Sequence, residues 1–139
     1  MLYNIVNGFK GVIKRKQEEI LYLISTFDQV LSHNLFYVYF DGHGYHNFSE
    51  TFNTPVGLDN LDWDTINSRN WFDTEEDSDR KRRKQAELLI HNEMPFDAIQ
   101  VIGVYNQNAL ERVNAILQNR NCHKNVIIFK GDIIKFNHD

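Results

Sequence analysis

Two histidines stand close together in His43-Gly44-Tyr45-His46, a spacing that can bring two imidazoles to one site. A metal centre needs further ligands, and no third ligand type lies at a suitable spacing. The pair therefore reads as the lining of a polar pocket or loop, and no metal is expected. Cys122-His123 sets a thiol beside a base, but adjacent residues rarely point at each other in a strand or helix, which disfavours a nucleophile pair. Five of the fifteen basic residues form one unbroken run, Arg80-Lys81-Arg82-Arg83-Lys84. Such a stripe can hold a polyanion even on a chain of net charge −4, because screening cancels charges beyond a Debye length of ~8–10 Å. Asp73, Glu75, Glu76, Asp77 and Asp79 lie just upstream. Charge pattern alone therefore favours a solvated loop in which the two signs neutralise each other. Glu87 follows the run and, taken alone, reads as an exposed helix glutamate.

Other site signatures are absent: there is no Walker loop, no GxGxxG after a strand, no HEXXH and no deaminase HxE…PCxxC. With a single cysteine, neither an intramolecular disulfide nor a cysteine-based zinc cage can form. A length of 139 residues fits one compact domain, and 42% hydrophobic residues, with ten Phe and six Tyr, suffice for a core. No apolar run approaches a membrane span and the first residues are not a signal peptide, so a soluble, cytoplasmic protein with no membrane partner is expected.

The elements that must position these groups follow from apolar pattern and turn residues. The run through Ile24 is followed by Ser25, a candidate N-cap for a helix to about Leu31. Leu35–Phe40 is aromatic and β-rich and stops at the turn signal Asp41-Gly42. Ile99–Tyr105 reads as a strand. Asn106–Asn119 reads as an amphipathic helix with Leu110, Val113, Ile116 and Leu117 on one face, and Asn125–Phe129 as a last buried strand. Arg80–His91 is ambiguous: propensity favours a helix, while the consecutive Leu88, Leu89 and Ile90 suit a buried strand equally well. Strands and helices without regular alternation indicate an α+β fold.

Several phrases then line up in order and spacing: MLYNI, EEILYLIST, FYVYFDGHGYHNFSETFN, LDNLDWDTINSRNWFDT, DRKRRKQAELLI and MPFDAIQVIGVYN. Together they resemble the DarT family, toxins of toxin–antitoxin pairs that ADP-ribosylate thymidine in single-stranded DNA. The resemblance covers nearly the whole chain. Its most specific piece is the aspartate-rich segment running into DRKRRKQAE, then an apolar strand, then Met94-Pro95.

The resemblance implies an ADP-ribosyltransferase-like mixed sheet with flanking helices, NAD as substrate and no metal. It makes Glu87 catalytic and places it at the start of a core strand, against helix propensity. His46, ahead of His43, is implied to add polar contacts at the reacting centre. Single-stranded DNA is implied to meet three segments: Leu2, Tyr3, Asn4, Ile5, Val6 and Asn7; Phe72, Asp73, Thr74 and Glu75; and Lys81, Arg82, Arg83, Lys84 and Gln85. Tyr3, Trp71 and Phe72 are candidate stacking faces, and each can equally be a core aromatic. The implied partner is a macrodomain-type antitoxin that removes ADP-ribose.

MLYNI matches an internal phrase of the family rather than its beginning. Residues 1–139 are therefore expected to form a DarT-type domain incomplete at its N-terminal side, with an open sheet edge, weak NAD binding and no turnover alone. Two alternatives stay open: a non-catalytic nucleic-acid-binding remnant or inactive partner for an antitoxin, and an interaction domain whose acidic Asp73–Asp79 loop binds a protein.

Overall fold

The computed structural model describes residues 2–8 and 11–129, which fall into two compact units. One comprises residues 2–29 and 95–129, the other residues 30–94. In chain order the strands are β1 (Tyr22–Ile24), β2 (Tyr37–Phe40), β3 (Thr51–Phe52), β4 (Glu87–Ile90), β5 (Val101–Val104) and β6 (Asn125–Ile128). The α-helices are α1 (Leu2–Asn7), α2 (Phe27–Ser32), α3 (Trp63–Asn67), α4 (Arg80–Arg83) and α5 (Gln107–Asn119). No helix among the described residues is long and apolar enough to cross a membrane.

The first unit holds a sheet in the order β1-β5-β6. β5 lies at its centre, antiparallel to β1 with Ile102 opposite Leu23, and parallel to β6 with Ile102 opposite Val126. A strand covered on both faces needs no polar alternation, which is why Val101–Val104 is apolar throughout. Parallel neighbours need a crossover, and α5 supplies it. The Asn106 side chain caps α5 by accepting from the Ala109 N–H at 2.9 Å. The helix ends where Asn121 takes φ 51° and the Cys122 N–H returns to the Leu117 carbonyl. Ile102, Val104, Ala109 and Val113 form the core, with Leu110, Leu117 and Val126 packed on it.

Three sequence expectations are corrected in this unit. Ile116 is exposed, because it falls at the margin of the stripe defined by Ala109, Val113, Leu110 and Leu117. Among the described residues β6 is an edge strand rather than a buried one: there it pairs with β5 alone, and Ile127 and Ile128 are exposed. Ser25 does not cap α2. Its hydroxyl donates to the Ala98 carbonyl at 2.5 Å, and Thr26 Oγ1 accepts from the Gln29 N–H instead.

The second unit holds an antiparallel sheet in the order β3-β2-β4. Its centre is Tyr39, buried and stacked between Tyr37 and Phe52, with ring centroids 6.3 and 5.2 Å away. The Tyr39 hydroxyl donates to the Thr54 carbonyl at 2.6 Å, and burial raises its pKa above the ordinary phenol value. Asp62 caps α3 through the Thr65 N–H at 2.9 Å. The ambiguous stretch splits in two: the basic residues form α4, and Glu87–Ile90 form β4. Pairing with β2, which sets Leu89 opposite Val38 and Glu87 opposite Phe40, outweighs the helix preference of the second half.

Candidate active site

Glu87 is the first residue of β4, reached through a tight turn in which the Gln85 and Ala86 N–H groups donate to the Arg82 and Arg83 carbonyls. Its Oε1 accepts from the Gly44 N–H at 2.7 Å. The approach is close: a Cβ on residue 44 would stand 3.0 Å from Oε1 and from two ring carbons of Phe40, so a larger residue would press on the carboxylate. The carboxylate thus has one oxygen fixed by a backbone donor while its side chain stays 40% exposed.

The loop that presents Gly44 is closed on itself. Asp41 N–H donates to the Glu50 carbonyl, and the Glu50 N–H returns to Asp41 Oδ1 at 2.8 Å. Across it, the His46 N–H and the Ser49 hydroxyl both donate to the His43 carbonyl. Of the two histidines, His43 reaches the carboxylate, with Nδ1 3.6 Å from Glu87 Oε1. That nitrogen also accepts from the Tyr45 N–H at 3.2 Å, which places the ring proton of a neutral His43 on Nε2. His46, which the resemblance put ahead of His43, has its Nδ1 facing the Phe48 N–H and its ring tilted against the Phe48 ring.

The basic run is drawn inward. Arg82 Nε and Nη2 donate to the two oxygens of Asp79 at 2.7 and 2.8 Å, and Nη1 to Asp41 Oδ1 at 2.9 Å. Arg83 donates to Asp62 at 2.8 Å and to Asp77 at 2.6 Å. Arg80 reaches the Ser68 hydroxyl at 2.7 Å, while its buried Nε has no partner among the described residues. Lys84 is buried, with Nζ donating to the Ile66 and Ser68 carbonyls and lying 5.0 Å from the centre of the Trp71 ring. Lys81 alone of the five has an exposed side chain.

Titration follows these pairings. Hydrogen bonds from Arg82 hold the Asp79 carboxyl below the usual carboxylate range. Burial works against the charge of Asp62, but hydrogen bonds from Thr65 and Arg83 outweigh it and lower that pKa too. Asp79 and Asp77 raise the guanidinium pKa values of Arg82 and Arg83 respectively, and burial lowers that of Lys84.

The model of the family described as "ssDNA thymidine ADP-ribosyltransferase, DarT" matches residues 1–134. The chain belongs to the DarT family. It is 31% identical over 121 residues to a DNA ADP-ribosyl transferase of Escherichia coli O127:H6, covering 87% of this chain and 56% of that protein. It also resembles DarT of Thermus sp. 2.9 solved with ADP-ribosylated single-stranded DNA, at 32% identity and TM-score 0.83, over 93% of this chain and 61% of that one. The Thermus protein solved with NAD+ gives TM-score 0.80 at the same identity, over 93% of this chain and 64% of that one. The chain thus spans about half the length of the curated relatives it matches. The α+β fold expected from the sequence is the DarT fold.

Most of the remaining residues expected to meet DNA in this DarT-family chain fall among the described ones. Phe72 is 78% exposed and Trp71 is exposed with Lys84 at its face. Asp73 accepts from the Lys81 N–H at 2.7 Å, so the exposed Phe72–Glu75 segment is tied to the start of α4. Gln85 is half-buried in the turn before Glu87. Leu2–Asn7 form α1, with Ile5 and Val6 half-buried and Asn7 exposed; the side chains of Leu2, Tyr3 and Asn4 lie outside the described residues. Among the described residues no three His, Cys, Asp or Glu side chains gather to hold a metal ion. Cys122 Sγ faces the Arg120 carbonyl at 3.6 Å.

Sequence reasoning missed Asp41, Asp62, Ser68 and Gly44. Asp62 carried a signal, as an N-cap residue before an apolar turn. Asp41-Gly42 was visible only as a strand stop.

Proposed function

We propose that this chain carries the glutamate-bearing part of an NAD-dependent transferase that places ADP-ribose on thymidine bases of single-stranded DNA. The supporting observation is Glu87 at the head of β4, with one oxygen held by the Gly44 N–H and the side chain open to solvent. Breaking the bond between ribose and nicotinamide develops oxocarbenium character at the sugar. A pre-oriented carboxylate that accepts hydrogen bonds from the ribose hydroxyls stabilises and orients that charge. Nicotinamide leaves with the bonding pair, the thymine ring nitrogen forms the new bond, and its proton is lost. His43, beside the carboxylate, and His46, in the same loop, offer polar contacts there.

Strand binding is proposed at Leu2–Asn7, Phe72–Glu75 and Lys81–Gln85, with exposed Lys81 meeting phosphate and exposed Phe72 offering a stacking face. In this reading the Arg82, Arg83 and Lys84 segment contributes backbone and shape. A cytoplasmic location and a macrodomain-type antitoxin that removes ADP-ribose complete the proposal.

The test incubates the protein with NAD and a thymidine-containing oligonucleotide and reads the products by mass spectrometry. No addition is expected from residues 1–139 alone, and addition of one ADP-ribose is expected when they are supplied with the part of the relatives' length that this chain does not span. A folded Glu87→Ala variant should lose more than ~10²-fold of the rate, the scale for removing a main electrostatic stabiliser. Near-normal transfer by that variant would sink the role of Glu87.

A further inference from the structure

We propose that Arg82 is a positioning residue for Glu87: a strut between the turn that leads into β4 and the loop that grips the carboxylate. The proposal rests on the transferase reading above and sharpens it, because it removes Arg82 from the phosphate-binding set.

The Arg82 side chain is only 10% exposed, and four of its five N–H donors are directed to acceptors inside the unit. Asp79 takes Nε and Nη2 in a bidentate pair, and Nη1 is shared between Asp41 Oδ1 at 2.9 Å and Ser49 Oγ at 3.3 Å. A phosphate would have to displace carboxylates already at charge-assisted hydrogen-bond distance. Asp41 and Ser49 belong to opposite ends of the loop that carries Gly44, so one guanidinium ties both ends to α4.

The Arg82 backbone makes a second tie. Its carbonyl accepts from the His43 N–H at 3.2 Å. Gly42 lies so close that a Cβ there would stand 2.5 Å from Nη1 and 2.9 Å from both Cγ and the carbonyl oxygen of Arg82. Residues 42 and 43 therefore rest directly on Arg82, and the next residue, Gly44, donates to Glu87 Oε1 at 2.7 Å. Any shift of the strut moves that donor. A misplacement of about 1 Å at such a site can cost on the order of 10²-fold in rate. Lys81, on the same turn but exposed, is the natural contrast.

The experiment compares Arg82→Gln, Gly42→Ala and Lys81→Gln in the purified protein. Transfer is measured with the protein supplied with the remaining part of its relatives' length, at saturating NAD across oligonucleotide and salt concentrations, and Gly44 amide hydrogen exchange is read by NMR. Arg82→Gln and Gly42→Ala should each lower kcat by about 10–100-fold. They should leave the salt slope of the oligonucleotide KM unchanged, since no phosphate contact is lost. In both, Gly44 should exchange about 10-fold faster or more, while the amides of β2 keep wild-type protection. Lys81→Gln should do the reverse, raising KM and flattening the salt slope by roughly 0.7, with Gly44 protection intact.

Gly42→Ala changes no charge, so it isolates the strut from any loss of phosphate contact, and it carries the test alone if Arg82→Gln does not fold. A raised KM with a flatter slope and unchanged kcat in Arg82→Gln would overturn the proposal. So would wild-type Gly44 exchange in Gly42→Ala. If the wild-type protein so supplied transfers nothing to DNA, the transferase reading fails, and Gly44 exchange still decides whether Arg82 holds the loop.

Discussion

Around β5, the buried side chains are all apolar: Ala98, Ile99, Ile102, Val104, Ala109 and Val113. In the unit that carries Glu87, the apolar interior narrows to Val30 and Tyr39, and buried Thr65 and Lys84 join them. Every ion pair described lies in this second unit, from Arg82 with Asp41 and Asp79 to Arg83 with Asp62, Asp77 and Asp79. One region is held by area removed from water, the other by directed polar contacts. Directed contacts are weaker per group once desolvation is counted, but they set positions and angles, which is what the role proposed for Glu87 requires.

The contrast is tested most severely in the apolar unit. Ile102→Ala removes a buried side chain at the centre of β5 and should cost about 2–5 kcal/mol in urea unfolding. A loss below about 1 kcal/mol, the scale of one exposed ion pair, would mean that burial does not dominate there. Asn106→Ala, which removes the cap of α5, should cost less, typically about 1 kcal/mol. An unchanged unfolding midpoint would show that packing alone sets the start of that helix.

The smallest effect should be acid sensitivity in the polar unit. Asp62 and Asp79 are held below the ordinary carboxylate range, so as pH falls the unfolded chain takes up protons before the folded one. Their contribution is complete above about pH 4 and fades as pH drops through the folded values. Both side chains are partly exposed, so each pair is worth only about 0–1 kcal/mol. Between about pH 5 and pH 2.5, Asp79→Asn should lose stability less steeply than wild type, as followed by urea midpoints. An equal slope in the two proteins would show that the Arg82 pairing adds nothing to stability.

Local pattern made part of this molecule legible. The aromatic run ending at Asp41-Gly42 identifies β2, apolar spacing identifies α5, and ordered phrases identify the family. The strand position of Glu87 was legible through its QAE phrase, since its own propensity pointed to a helix. These signals survive because a strand edge, a helix stripe and a phrase are all read from neighbours in sequence.

Tertiary structure alone decided what the five basic residues do. Arg82 meets Asp41 from 41 positions away, Arg83 meets Asp62 from 21, and Arg80 meets Ser68 from 12. A charge has no periodicity that announces its partner, and a guanidinium or a carboxylate can lie in solvent or in a buried pair with the same sequence around it. Only the sheet register and the closed loop before it bring these groups within hydrogen-bond reach. The acids just upstream account for Asp77 and Asp79, but the donor that holds Glu87 is a backbone N–H, and every residue except proline carries one.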